Sequence, residues 1–353
     1  MMRIGIITFH DTTNFGSYLQ TYGLYKKLED LGCECEVINY QCESLVKREI
    51  PERFKFTWNL RKVVKEIWLN TAIRKKYKFL FGFLLKNMTL SERVTQQNIK
   101  SLNNRYDKFF VGSDIVWGLD ITNRDTTYFL DFVEDNNKKY AFSSSIGNSW
   151  SEDEQYLVKP YLERFNKIAV REEEAADWVE NLIKKRPEVV CDPTMLLTSN
   201  EWLSFASMKY CTHKYVLVYF STEECIKAAK EYAKHHNLPI YLINYSLPIS
   251  GVKNIKPLTI DDFLSLFKSA SFIFTASYHG MLFSIYFNRE FSYFNRSHKS
   301  RMQTLANILG VQDREGTKYD VMKMAGIEWT KVNTFVEDYR NKSMACLKAF
   351  LQK

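Results

Sequence analysis

The stretch 271-SFIFTASYHGMLFSIYFN-288 decides how the rest of the chain is read. A β-rich apolar run ends in Thr-Ala-Ser-Tyr-His-Gly, and an apolar stretch with helical character begins at once. His279 therefore falls where the carboxyl end of a central strand meets a helix N-terminus. Open α/β sheets bind ligands at such places, and the unpaired N–H groups of a helix start favour anions. The histidine is either a functional group or a cap for the helix. Gly280, which permits close approach to the backbone, favours the functional reading.

Working outward, the same alternation recurs on both sides. Strands are expected at 214–221, 239–245, 271–277 and 290–295, with helices to His236, at 260–269, at 279–288 and at 299–309. The tail, 328–351, has helical spacing. On the amino-terminal side, 3-RIGIITF-9, a polar loop, a helix and 36-EVINY-40 form a strand–loop–helix–strand opening. The alternation continues through 107-DKFFVGSD-114, 139-KYAFSSSIG-147, 167-KIAVRE-172 and 188-EVVCDPT-194. A basic, aromatic, helical segment at 44–104 interrupts it. The expected architecture is α/β, with two Rossmann-like domains facing a cleft. The first, 1–195, carries the helical insertion at about 44–104; the second covers 196–327, and a C-terminal helix covers 328–353.

The 353 residues suit two domains with sizeable cores. The amino terminus reads as a strand rather than a signal peptide, and no stretch reaches the roughly 20 apolar residues of a membrane span. Seven scattered cysteines read as reduced thiols of a cytoplasmic protein. Cys33, Cys35 and Cys42 lack the CxxC pair or nearby histidine of a zinc site, so no metal is expected. The net charge is +8, yet residues 46–100 alone hold fourteen Lys/Arg against four Glu. The basic balance is thus local. Basic and aromatic residues interleave there without any DNA- or RNA-binding motif, and no nucleic-acid partner is expected.

Other residues fall at strand ends that point to the same cleft. Asn14, Gly16 and Ser17 follow the first strand, Ser113 and Asp114 end 109-FFVGSD-114, and Arg171 ends 167-KIAVRE-172. Asn14 with Gly16, and Asp114, also suit turns and helix caps. An arginine at the end of an apolar parallel strand needs an anion. That anion is either a ligand or one of Glu172 to Glu174.

These pieces resemble the polysaccharide pyruvyl transferase family. The matching motifs, in order, are 5-GIITFHDTTNFGSYLQ-20, 112-GSDIVW-117, 140-YAFSSSIG-147, 170-VREEEA-175, 191-CDPTMLL-197 and 277-SYHG-280. The resemblance covers roughly residues 3–310 and implies a GT-B-like fold. It also implies transfer of a pyruvyl group from phosphoenolpyruvate to a sugar of a surface polysaccharide or its precursor, forming a pyruvate ketal, with no further cofactor. His279 maps to the catalytic histidine of the His-Gly motif, and Arg171 to the arginine of the Val-Arg-Glu motif. Ser277, Tyr278 and Gly280 join them on the donor side; Asn14, Gly16, Ser17, Ser113 and Asp114 line the acceptor side or cleft. Some members carry arginine where Ser277 stands, so the missing cation is expected from Arg301 or Lys299.

Two rival readings are a nucleotide-sugar glycosyltransferase of GT-B type and a non-catalytic component of polysaccharide assembly. Many such glycosyltransferases place a ribose-binding glutamate with seven residues between it and an earlier acidic one. With His279 in the first place, Phe287 takes the second, and a phenyl ring cannot bind a diol. Surface-sugar precursors are commonly carried on lipid diphosphates at the inner face of the membrane, so the resemblance implies an enzyme that meets an anionic surface. Residues 46–100 are therefore read as a helical lobe that grips an anionic or membrane-bound acceptor at the inner face of the membrane, with Trp58 and Trp68 at the interface. The plainer reading is a helical cover whose aromatics pack inward.

Overall fold

The structure is a computed structural model that describes residues 1–50, 60–296 and 299–352, with the side chains of 60–69 and 299–300 outside the description. The chain forms two compact units. The first takes Met1–Ile50, Gly82–Leu197 and the chain from Val336 on; the second takes the described residues of Pro51–Phe81 together with Thr198–Phe335.

In the first unit the strands and helices alternate in chain order: β1 (Arg3–Ile7), α1 (Phe15–Asp30), β2 (Glu34–Val37), α2 (Glu43–Glu49), then α3 (Leu60–Asn87), which begins among the residues of the second unit. β3 (Lys108–Val111), α4 (Leu119–Thr122), β4 (Lys139–Ser144), α5 (Glu152–Leu162), β5 (Lys167–Val170), α6 (Glu173–Ile183) and β6 (Glu188–Val189) follow. All pairings are parallel, in the order β2-β1-β3-β4-β5-β6. The strand order reverses between β1 and β3, and the carboxyl ends there open the crevice where a parallel sheet holds its ligand. β3 and β4 are buried along their whole length, as a sheet covered on both faces requires.

The second unit contains α7 (Ser199–Leu203), β7 (Val216–Tyr219), α8 (Glu223–His235), β8 (Ile240–Ile243), β9 (Lys253–Ile255), α9 (Ile260–Ser269), β10 (Phe272–Thr275), α10 (Tyr278–Tyr286), β11 (Phe291–Tyr293) and α11 (Lys299–Leu309). Its sheet is parallel throughout, in the order β11-β10-β7-β8-β9, and reverses between β7 and β10. Trp202, Phe263 and Phe283 fill the core beside α10, with Trp202 edge-on to Phe283 at 5.5 Å. The last helix, α12 (Trp329–Leu351), divides its residues between the units. Its final turns serve the first. Lys108 Nζ donates to the Phe350 carbonyl at 2.5 Å, Lys167 Nζ donates to that of Ala349 at 2.6 Å, and the Phe350 ring packs on Phe110, Tyr140 and Phe142.

The two α/β units expected from the alternation are both present. Two features differ from that expectation. β9 was not anticipated, since three residues with no apolar run carry no strand signal. The segment read as one insertion of the first domain is shared: α3 starts in the second unit, and Leu90 and Val94 return to bridge Val37 and Tyr40 beside β2. Trp58 lies outside the described residues, as does the side chain of Trp68. Of the aromatics that are described, Phe83 packs edge-on to Tyr22, while Phe79 is half exposed. Among the described residues, no helix is long and apolar enough to cross a membrane.

Candidate functional site

In the second unit the strand-order reversal brings the ends of β7 and β10 side by side. Thr275 Oγ1 donates to the Tyr219 carbonyl at 2.9 Å, and the Ala276 N–H donates to that of Phe220 at 2.9 Å. The chain then turns directly into α10. Ser277 is its N-cap, and the Ser277 Oγ accepts the Gly280 N–H at 3.3 Å. Every residue of α10 is buried, which matches its apolar sequence. His279 lies in the first turn, 6% exposed, with its ring edge-on to Tyr278 at 5.6 Å. The Arg301 guanidinium lies 5.9 Å from the centre of the Tyr278 ring. The cation anticipated from α11 is thus beside the start of α10, while the alternative, the Lys299 side chain, lies outside the described residues.

Gly280 packs closely against the strand ends. A Cβ on it would come within 2.2 Å of Thr275 Oγ1 and 3.0 Å of the Tyr219 ring. The absent side chain lets the helix pack against the strand ends, and no ligand approach is needed to explain it. Arg296 was missed in the sequence. It follows β11 and stacks over Phe220 at 5.6 Å, and Phe220 is itself 43% exposed at the end of β7. The available signal was its position just beyond the last strand of the sheet.

The carboxyl ends of β1 and β3 form the corresponding place in the first unit. Asn14 caps α1, its Oδ1 accepting the Gly16 N–H at 3.0 Å, so both residues serve the helix start. Ser17 Oγ donates to Asp114 Oδ2 at 2.9 Å across the reversal point. Asp114 has φ of 71° and its other oxygen accepts the Ile115 N–H, a local bond that makes this conformation tolerable for Asp. His10, also missed, follows β1, with Nδ1 3.2 Å from the Thr8 carbonyl and Nε2 3.3 Å from Asn39 Oδ1. Burial pushes its imidazole below the usual histidine range, against the pull of Asp11.

Arg171 and Ser113 require correction. Neither lines an open surface. Arg171 is fully withdrawn from solvent, and its Nη1 donates to Asp192 Oδ2 at 2.7 Å and to Ser113 Oγ at 3.3 Å. β5 and β6 are neighbours, so residues just beyond their ends meet, and Asp192 supplies the nearer anion. Glu172 is a second anion for Arg171, as the sequence allowed: its Oε2 lies 3.9 Å from Arg171 Nε, while its Oε1 accepts Ser145 Oγ at 2.7 Å and the Ile146 N–H at 3.0 Å. Glu173 pairs with Arg186. Ser113 is buried too: its Oγ donates to the Ser143 carbonyl and its N–H to Gln20 Oε1. Arg171 thus ties three strand ends together.

The model of the family described as polysaccharide pyruvyl transferase matches residues 14–298. This chain belongs to the polysaccharide pyruvyl transferase family. The match opens at the α1 cap, includes Arg171 and His279, and ends just short of Arg301. No curated protein sequence matches the chain. Solved structures similar to this pyruvyl transferase family member include the UDP-GlcNAc 2-epimerase from Neisseria meningitidis bound to UDP-GlcNAc, 11% identical over 99% of each chain with a TM-score of 0.49. The UDP-GlcNAc 2-epimerase from Methanocaldococcus jannaschii is 13% identical over 97% of this chain and 93% of its own, at 0.45. A Streptomyces sp. SF2575 glycosyltransferase is 11% identical over 98% and 96%, at 0.42. Likenesses this distant assign neither an activity nor a ligand here.

Proposed function

We propose that the chain transfers the pyruvyl group of phosphoenolpyruvate to a sugar hydroxyl and closes it into a ketal. The observation that carries this reading is His279 in the first turn of α10, at the strand reversal of the second unit, with Arg301 beside Tyr278 in a chain of the pyruvyl transferase family. Phosphoenolpyruvate brings a carboxylate and a phosphate. Arg301, Arg296 and the first-turn amides of α10 are the groups offered to them.

The chemistry needs one proton in and two out. Protonation of the enol methylene gives a methyl group and leaves an oxocarbenium-like centre at C2. One sugar hydroxyl adds there and loses its proton. The C2–O bond to phosphate breaks, inorganic phosphate departs, and a second hydroxyl of the same sugar closes the ring and releases its proton. A histidine is suited to carry protons in these steps near neutral pH, and His279 takes that role. On this reading the protein needs no cofactor beyond the co-substrate. It works on the cytoplasmic side of the membrane. The exposed Lys75 and Lys78 of α3 are the groups offered to an anionic carrier such as a lipid diphosphate.

The test is phosphate release from phosphoenolpyruvate with and without a panel of saccharides, with mass spectrometry of the sugar product. Saccharide-dependent release with a ketal-bearing sugar supports the reading. A panel that includes lipid-linked saccharides and yields neither overturns it.

A further inference from the structure

We propose that the first unit carries a binding subsite for a neutral saccharide beyond the carboxyl end of β2. The subsite is built from Gln41, Arg93, Gln96, Gln97, Arg124 and Asp125. These side chains border a pocket of about 480 Å³, within the roughly 300–1,000 Å³ of small-molecule sites. Every lining residue belongs to the first unit.

The wall is oriented before any ligand arrives. Asp125 is 8% exposed, and three donors converge on its carboxylate: the Tyr40 hydroxyl at 2.5 Å, Gln96 Nε2 at 2.8 Å and the Thr127 N–H at 2.9 Å. Gln41 is held at both ends of its amide. Its Oε1 accepts Arg93 Nη2 at 3.1 Å, and its Nε2 donates to Asn39 Oδ1 at 2.9 Å. Arg124 has φ of 63° directly after Asn123 at 54°, and its guanidinium donates to Asp153 at 2.5 Å. Asn123 is the left-handed C-cap of α4, a position Asn adopts readily, so Arg124 is the residue there with an uncommon backbone. Groups fixed in this way lose little freedom on binding.

The chemistry of the wall selects the ligand. Arg124 is paired with Asp153 and Glu43 with Lys47, and the remaining guanidinium of Arg93 is offset by the carboxylate of Asp125, so an anion gains no net attraction. The amides of Gln41, Gln96 and Gln97 each offer a donor and an acceptor. Hydroxyls likewise both donate and accept, so a ring bearing several of them can pair with this wall at every position. That the saccharide is the acceptor of pyruvyl transfer rests on the function proposed above; that a saccharide binds does not.

The experiment is calorimetric titration of the full chain with lactose, cellobiose and N,N′-diacetylchitobiose, with inorganic phosphate as the anionic comparison. Hydrogen exchange across 93–97 and 122–125 locates the bound ligand. The variant carries Arg93→Ala and Gln97→Ala, both exposed, so that folding is preserved. At least one disaccharide binds and protects both segments, phosphate does not, and the variant binds about tenfold more weakly. The proposal is overturned if none of the three disaccharides binds, if the variant binds unchanged, or if phosphate protects the same segments. Binding of a disaccharide, with no pyruvyl transfer across the full panel that includes lipid-linked saccharides, keeps the subsite and removes the proposed reaction. Transfer with an acceptor KM unchanged in the variant keeps the reaction and removes the subsite's part in it, while loss of disaccharide binding in the same variant still decides the subsite.

Discussion

Arg171 Nη1 stands 2.7 Å from Asp192 Oδ2, with both side chains sealed from solvent between the ends of β5 and β6. Removing one partner of such a pair leaves an uncompensated buried charge, at a cost of about 3–5 kcal/mol. Arg171→Ala is therefore expected to lower the urea unfolding midpoint sharply, and Asp192→Ala to do the same. A normal midpoint combined with a raised KM for phosphoenolpyruvate would instead make Arg171 a donor ligand.

His279→Gln tests the reacting group. The amide fits a buried first-turn position, so circular dichroism and the unfolding midpoint stay close to those of the parent chain. Pyruvyl transfer falls by about 10²–10⁴-fold, the usual cost of losing a proton-transfer residue. Turnover within a few-fold of the parent would remove His279 from the chemistry.

Arg301 and Arg296 are expected to act on the donor. Arg301→Ala and Arg296→Ala should each raise the KM for phosphoenolpyruvate by about 10–100-fold, in line with the loss of a hydrogen bond to a charged group. Lysine at either position restores part of the affinity, because it keeps the charge and loses the fork. Initial-rate kinetics with donor and acceptor varied separately decide the point: an effect confined to the acceptor KM would count against it.

Gly280→Ala places a methyl group against Thr275 Oγ1, where the added Cβ would lie only 2.2 Å away. Overpacking of this kind costs about 1–3 kcal/mol. The penalty should shrink in a Thr275→Ala background, and a double-mutant cycle of unfolding free energies measures the coupling. Equal penalties in both backgrounds would show that the contact does not set the packing of α10.

The elements that position the candidate site were legible because their signals are local. An apolar run that ends in Ser-Tyr-His-Gly before an apolar helix placed β10, the start of α10 and His279 within a residue or two, although the cap is Ser277 and not the histidine. Partnerships between distant strand ends were not legible. Nothing in 170-VREEEA-175 tells Asp192 from the three glutamates at hand, since the choice depends on β6 lying next to β5. Gly280 is a related case. A glycine after a histidine looks the same whether it makes room for a ligand or for Thr275. β9 was lost because Lys253, Asn254 and Ile255 show no periodicity, and their strand exists only by pairing with β8.

The seating of Phe350 on Phe110, Tyr140 and Phe142 bears on how the protein is made. The six strands of that sheet have all been translated by Val189, yet the ring that packs on three of its aromatics is added near the far end of the chain. At about 5–20 residues per second the delay is on the order of ten seconds. During that time the nascent sheet presents uncovered aromatic residues to the cytosol or to a chaperone. Ribosome-stalled chains ending before Val336 should therefore be sticky and protease-sensitive, and release of the final turns should protect the half of the molecule that was synthesised first.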